Sequence, residues 1–497
     1  MENDVWKFLV VFVAAAMFSI AFAAEQQATA QQPTTSASSN LSLDNFRDWF
    51  HNPTDWLTMG ADWRVRWTYG WNLDTLNSDA TNRDSGWNWY QNRMRWWTKT
   101  KINEDMDFNL RYTWEFRVWD VPERKRGTGD QGTDFSEIVW DQLNLTARNL
   151  FDMPLTMVAG RQDIVLGQGW LVQDGTPFDA ARTLYMDALR FTYKIPDRDT
   201  TVDLIYIENR ASEDAYFKPI NDRHRQVMAQ DERGFILYIT DKSRPNMQLE
   251  GYFIYKNDNP VDTPPTAGPS GDDPWPAYWS KKAEIYTLGG AVSGAIAQSE
   301  HWKYRMEGAV QTGRKQTQQE GTAMHTLQAF GTEDRIEYHF NDAKKNILHG
   351  IFEYLSGDDP GTGKNEAFDP LWSRWPQWSE LYPYCYTLET MVSETTNLYR
   401  LAFGHSMQLT ENVTMYTDYH LLWADQNTEK NRPHPGVIGF TSSGKFRGQL
   451  ATWQLKYKLN KNLNGHLLLE YFQPGNYYES WSRDAAYFIR VNLDYTF

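Results

Sequence analysis

The sequence predicts an all-β fold, a transmembrane antiparallel β-barrel of about 18 strands with short periplasmic turns and long extracellular loops, and three observations carry that prediction. Tyr487 to Phe497 reads Y-F-I-R-V-N-L-D-Y-T-F. Tyr487, Ile489, Val491, Leu493, Tyr495 and Phe497 share one parity, and Arg490, Asn492 and Asp494 share the other, so an oily face alternates with a polar one. Similar segments recur along the chain, and the links between them alternate short and long, which a soluble sandwich has no reason to do. Finally, 23 Trp, 27 Tyr and 25 Phe supply enough amphipathic rings for two interfacial girdles.

In chain order, residues 1–24 read as a secretory signal: an apolar run from Phe8 to Phe22 carries Ala21-Phe22-Ala23, a small-x-small cleavage pattern, and is too short to span a bilayer. Glu2 and Asp4 outweigh Lys7 there, a departure from the usual basic start. Residues 25–40, E-Q-Q-A-T-A-Q-Q-P-T-T-S-A-S-S-N, are polar, of low complexity, and read as a flexible leader. Residues 41–60 form a short periplasmic lead-in or cap, with Phe46, Trp49, Phe50, Trp56 and Leu57 in a helical rhythm that Asn52-Pro53 interrupts.

The barrel occupies 61–497. Its expected strands are 62–74, 88–103, 106–120, 136–150, 155–166, 187–196, 200–210, 233–242, 246–258, 284–297, 302–315, 324–341, 346–358, 397–410, 413–425, 448–460, 463–475 and 483–497. A mean hydropathy of -0.67 agrees with a barrel, because only half of each strand meets lipid. No segment offers the twenty or so consecutive apolar residues of a membrane helix. The lone Cys385 excludes an internal disulfide and argues against a thiolate metal site. A net charge of -15 disfavours nucleic acid as a partner.

Parity assigns the faces. Trp63, Val65, Trp67 and Tyr69 turn to lipid and Arg64 and Arg66 to the lumen; Arg93, Arg95, Lys99 and Lys101 oppose Met94 and Trp96; Arg111, Glu115 and Arg117 oppose Leu110, Tyr112, Trp114, Phe116 and Val118. Arg190, Lys303, Arg305, Arg400 and Arg490 follow the same rule. A charge aimed into the hydrocarbon costs roughly 2 to 4 kcal/mol at mid-membrane, which sets the direction. The functional reading is an electropositive bore that compensates an anion's lost hydration. The structural reading is cross-wall bracing, with Glu115, Asp163, Glu307, Glu353 and Asp494 also inward. A closed sheet of this width is expected to enclose an aqueous channel rather than a packed interior.

The segment Val158-Ala159-Gly160-Arg161-Gln162-Asp163-Ile164, continuing through Gly167-Gln168-Gly169-Trp170 to Pro177-Phe178-Asp179-Ala180-Ala181-Arg182, resembles the alginate export family of outer-membrane barrels. So do Asn52-Pro53-Thr54-Asp55-Trp56-Leu57 with Gly60-Ala61-Asp62-Trp63-Arg64, and Asn397-Leu398-Tyr399 with Tyr419-His420. The resemblance implies an arginine-rich channel through which an anionic uronate polysaccharide leaves the periplasm, with Arg161 and Asp163 in the wall. It places Asp174, Asp179 and Arg182 in a constriction loop. It also implies contact with outer-membrane lipid and periplasmic secretion partners, and no cofactor. The terminal strand ending at Phe497 is similar to the signal by which the barrel-assembly machinery recognises its clients. Export members carry a long last periplasmic turn as a plug; here that turn, Asn460 to Asn464, is short.

Other readings remain at this point: a general or small-solute porin, a surface-display barrel with a blocked lumen, and an outer-membrane enzyme. Ser406 with His405 and His420 with Asp418 lack a triad context, His339 and His349 lack a metal-ligand set, and Asp258, Asp262, Asp272 and Asp273 read as a solvated loop before a calcium site. The aromatic stretch 371–386 suits a pore mouth, a partner surface or a rim cover.

Overall fold

The protein is seen here as a computed structural model, whose described residues are 43–79, 86–121, 133–134, 138–174, 185–211, 220, 230–260, 281–316, 323–373, 375–386, 389, 395–427 and 438–497. Residues Met1–Pro53 form one unit and Thr54–Phe497 another. Of the first, residues 43–53 are described; they include helix α1 (Leu43–His51), in which Phe46 packs on Trp49 at 5.8 Å and on Phe50 at 6.4 Å.

Thr54–Phe497 holds a closed barrel of 18 strands. They are β1 (Leu57–Trp71), β2 (Gly86–Lys101), β3 (Met106–Val121), β4 (Ile138–Ala147), β5 (Leu155–Gln162), β6 (Met186–Lys194), β7 (Thr200–Asn209), β8 (Gln230–Arg244) and β9 (Met247–Pro260). Then come β10 (Ala283–Ala295), β11 (Trp302–Gln316), β12 (Met324–His339), β13 (Ile347–Leu355), β14 (Leu398–Thr410), β15 (Val413–Trp423), β16 (Phe446–Lys458), β17 (Leu463–Pro474) and β18 (Ala486–Thr496). Each pairs antiparallel with its neighbours in sequence, and β1 pairs with β18 from Asp62↔Thr496 to Trp71↔Tyr487. Phe497 extends that seam by donating its N–H to the Ala61 carbonyl at 2.9 Å. No strand edge is left open, which is the condition for a sheet to sit in lipid. No described helix is long and apolar enough to cross a membrane.

All eighteen expected strands are present. The main displacement is at the start: the wall begins at Leu57, not at 61, because β2 is long enough to pair Leu57 with Thr100. Short turns join β2 to β3, β4 to β5 and so on to β16–β17, on the edge that carries both ends of the barrel chain; by the usual orientation this edge is periplasmic.

The faces follow the two-residue period. Leu288, Met306, Val310 and Phe403 stand on the bare outer surface, each more than half exposed, as side chains that meet acyl chains do. Rings gather at both rims. Trp302, Tyr338 and Phe340 interlock near the periplasmic turns, and Tyr354 with Tyr399, and Trp71 with Tyr487, near the opposite rim.

The interior departs from the expectation. Its extracellular half holds a packed apolar core, with Leu73, Leu76, Ile164, Val172, Leu371, Trp372, Leu381 and Tyr382 from the long connections lying against Trp89, Ile205, Ile236, Ile285, Leu327, Leu398 and Phe488 of the wall. Width alone admits water, but long connections carrying their own apolar side chains fold inward and bury them.

Candidate functional site

The inward arginines are set by parity and held by acids. Arg305 on β11 donates two N–H groups to Glu250 on β9 at 3.0 and 2.8 Å and a third bond to Glu307 at 2.6 Å. Tyr238 donates to Glu250 at 2.5 Å and Tyr252 to Glu307 at 3.1 Å. Arg400 donates to Glu353 at 2.6 Å and to Glu333 at 3.2 Å. Arg111 bonds Asp141 at 2.8 Å and Asp163 at 3.0 Å, and Arg190 bonds Asp203 at 2.8 Å. Arg95 holds both oxygens of Asp62, at 3.0 and 2.9 Å. Charges taken from water need such partners, and forked guanidinium–carboxylate bonds fix their geometry.

On the β18–β1–β2–β3 wall, Arg64 stands opposite Arg93 in register, Arg66 donates to Asn492 at 3.0 Å, and Arg117 lies 5.4 Å from the Trp119 ring. Buried Arg93 has two guanidinium nitrogens without a hydrogen-bond partner in the structure.

Arg161 is placed differently from the others. Gly160 opposes the inward Asn144 and Ala188, whereas Arg161 opposes Leu143 and Asp187, on the side of Leu189. There it donates to both oxygens of Asp187 at 2.9 and 3.1 Å and lies over the Tyr185 ring at 3.7 Å. The backbone of Asp174 pairs with Ile164 in a two-residue ladder. Asp179 and Arg182 lie outside the described residues.

Two inward connections are knitted together inside the bore. Residues 163–174 turn at Gly167, whose φ of +58° and close surroundings, 2.7 Å from the Tyr238 hydroxyl and 2.9 Å from Glu250 to an added Cβ, leave no room for a side chain. Val172 bridges to Trp372, and Gln173 N–H donates to the Trp372 carbonyl at 3.2 Å.

Trp372 belongs to a strap, residues 356–386, that leaves β13, touches the start of β12 through Lys364–Asn365 and crosses the lumen to helix α2 (Tyr382–Tyr386). The Trp372 ring lies on the inner face of Gly234, where a Cβ would stand 2.1 Å from it. Asp369 accepts from Lys315 at 2.6 Å, Glu380 from Arg490 at 3.0 Å, and Glu470 of β17 accepts from Ser379 Oγ and the N–H groups of Glu380 and Leu381. Just beyond the strap, Glu389 takes a forked bond from Arg447 at 2.7 and 2.9 Å. Burial alone would raise the Asp369 carboxyl, but Lys315 and Lys256 hold it well below the usual carboxylate range. Asp358, at the start of the strap, is pushed up to about 6 by burial and by the neighbouring Glu366 carboxylate.

Below the 163–174 turn the bore opens into a vestibule of about 520 Å³ at the periplasmic end. Five cations line it, Lys242, Arg244, Lys303, Arg305 and Arg335, against one lining carboxylate, Glu337. Gln168 forms part of its roof.

The alginate export family model matches residues 55–491, nearly the whole barrel. The chain belongs to the alginate export family. No curated protein matches it. Among solved structures it is similar to three Pseudomonas aeruginosa barrels. These are OpdQ (TM-score 0.52, 10% identity, 89% of this chain and 97% of that one), OccK9 (OpdG) (0.52, 9%, 88% and 98%) and OccK2 (OpdF) in complex with glucuronate (0.51, 11%, 88% and 98%). At such identities the likeness is one of fold. Family and fold together make this member of the alginate export family an outer-membrane channel of the Gram-negative type.

Sequence reasoning missed part of this lining. Lys256 and Lys315 share inward parity with Ile254 and Arg305 and were there to be read. Arg447 was not: the β15–β16 register slips between Leu422 and Trp423, so alternation fails at the bulge that holds it. Acids of the strap carry no periodic signal at all.

Proposed function

We infer that the protein is a passive conduit that favours carboxylate-bearing saccharides, an alginate-like uronate polymer leaving the periplasm being the substrate class that fits best. The observation that carries this reading is the vestibule, where Lys242, Arg244 and Lys303 stand beside Arg305, paired with Glu250 and Glu307, and Arg335, paired with Glu337, at the end from which an exported polymer enters. A carboxylate arriving there exchanges hydration for guanidinium and ammonium contacts. Membership of the alginate export family and the glucuronate bound to OccK2 (OpdF), a barrel of the same fold, point to the same ligand chemistry. Arg64, Arg66, Arg93 and Arg117 continue the cationic lining on the opposite wall.

The packed extracellular half favours a second reading, a porin for single uronates or short oligomers, because a chain of sugars must displace more of the inner connections than one sugar does. The test is the full-length protein in planar bilayers under a salt gradient, with polyuronate, monomeric uronate and a neutral glucan added in turn. Anion-favouring reversal potentials with polyuronate-dependent current block support export. Block by the monomer alone supports the porin, and cation preference refutes both.

A further inference from the structure

The wall cations fall into two groups according to who supplies their carboxylates. Arg305, Arg400, Arg111 and Arg190 bond acids of the wall itself or of the wall's immediate continuation, namely Glu250, Glu353, Asp141 and Asp203. These pairs are fixed for as long as the barrel is closed. Lys315, Arg490 and Arg447 bond acids of the β13–β14 connection, Asp369, Glu380 and Glu389. These three cations come from β11, β18 and β16, so one connection reaches across the bore to satisfy distant strands. All three lie toward the extracellular half, and each is more than nine-tenths buried.

We propose that Lys315, Arg447 and Arg490 are carboxylate subsites for the transported anion, filled in the resting channel by the strap's own Asp369, Glu380 and by Glu389. The proposal rests on the anion-conduit reading above and adds its regulation. A buried guanidinium tolerates loss of its partner poorly, so the strap leaves only when another carboxylate takes its place. An anionic polymer rising from the vestibule offers that replacement one residue after another. A neutral solute of equal size offers none and meets a closed extracellular half. Geometry supports exchange. Arg447 presents both terminal nitrogens to Glu389 in a fork that any carboxylate can occupy, flanked by the Tyr477 ring at 4.2 Å. Asp369 meets Lys315 through one oxygen at 2.6 Å, the other receiving the Leu371 N–H. Other ties of the strap, among them Glu470 to three donors, the Trp372 ring on Gly234, the Val172–Trp372 bridge and the Lys364–Asn365 pairing on β12, hold its path without involving the three subsites.

The chain carries its own reporter, since Cys385, its single cysteine, lies in α2 on the strap and is 1% exposed. The experiment measures labelling of Cys385 by a membrane-impermeant maleimide in the full-length protein. Three conditions are compared: no addition, polyuronate, and neutral glucan of matched length. In the unmodified protein polyuronate should speed labelling and glucan should not. In the variant E380Q/E389Q labelling without any polymer should rise roughly 10-fold or more, the scale set by losing charge-assisted hydrogen bonds. Folding of the variant is checked by its heat-modifiable migration, and the unmodified protein tests the proposal even if the variant fails. Labelling that polyuronate leaves unchanged overturns the proposal, as does acceleration by glucan to the same degree. Reversal potentials on the same preparation separate the two readings: an anion-selective barrel with unmoved Cys385 refutes the strap exchange alone, and a cation-selective barrel refutes the conduit beneath it.

Discussion

Reversing the charges of Lys242, Arg244 and Lys303 together is the most direct probe of the vestibule. All three are exposed and at or near periplasmic turns, so the barrel should fold unchanged. A volume of about 520 Å³ corresponds to a radius of roughly 5 Å, which puts the charged ends about 8 Å from the centre. At that distance in water one unit charge acts on a monovalent ion with about 0.5 kcal/mol. A Debye length of about 10 Å at 0.1 M salt reduces this by roughly half. Changing K242E, R244E and K303E alters six units of charge in all, or about 1.4 kcal/mol on each monovalent ion, unfavourable for an anion and favourable for a cation, which is roughly hundredfold in the anion-to-cation permeability ratio. Reversal potentials in planar bilayers under a salt gradient read that ratio. At 1 M salt, where the Debye length is about 3 Å, the shift should nearly vanish. An unaltered ratio at 0.1 M, or an equal shift at 1 M, would refute the vestibule as the selecting element.

Gly234→Ala pushes a methyl group into the Trp372 ring, so it should loosen the strap and raise channel noise and Cys385 labelling while the wall persists; overpacking of this kind costs about 1 to 3 kcal/mol. Asp187→Asn leaves the buried Arg161 without its carboxylate and should destabilise the barrel by about 3 to 5 kcal/mol in urea unfolding from detergent, without moving ion selectivity. Asp358 adds a pH dependence whose sign follows from its raised value: folding favours its protonated form, so the strap's first turn is firmest below the ordinary aspartate range and weakens as pH rises toward about 6. Protection of the Glu366 N–H, which donates to Asp358, measured as its exchange rate relative to the intrinsic rate at each pH, should fall over that interval, and in Asp358→Asn the protection should stay constant.

Much of the fold was legible because a barrel wall obeys one simple rule. Outward Trp63, Val65, Trp67 and Tyr69 and inward Arg64 and Arg66 follow from parity, and across the β1–β18 seam the former oppose Tyr495, Leu493, Val491 and Ile489 while the latter oppose Asp494 and Asn492. Where the backbone bulges, the rule loses count, as at Arg447. The inner connections obey no period. Leu371, Trp372, Leu381 and Tyr382 sit in a stretch whose aromatic character was evident but whose direction was not, since only the packed state shows them buried, with the Trp372 ring against Gly234 and the neighbouring Trp378 ring under Arg400. Asp369, Glu380 and Glu389 resemble solvated loop acids in sequence and turn out to be buried partners of Lys315, Arg490 and Arg447.

The joint between the first and last strands has a kinetic consequence. Arg66 bonds Asn492 across 426 residues, so the contact that seals the cylinder waits until the eighteenth strand has followed the first. Bringing such remote strands together costs entropy only logarithmically in chain length, yet nothing short of all eighteen strands can do it. A polypeptide lacking β18 (Ala486–Thr496) would keep most of its hairpins and still present raw edges at β1 and β17, with unmet amides facing oil. Synthesis errors near the carboxyl terminus should therefore be sorted out during insertion, before a leaking cylinder can form.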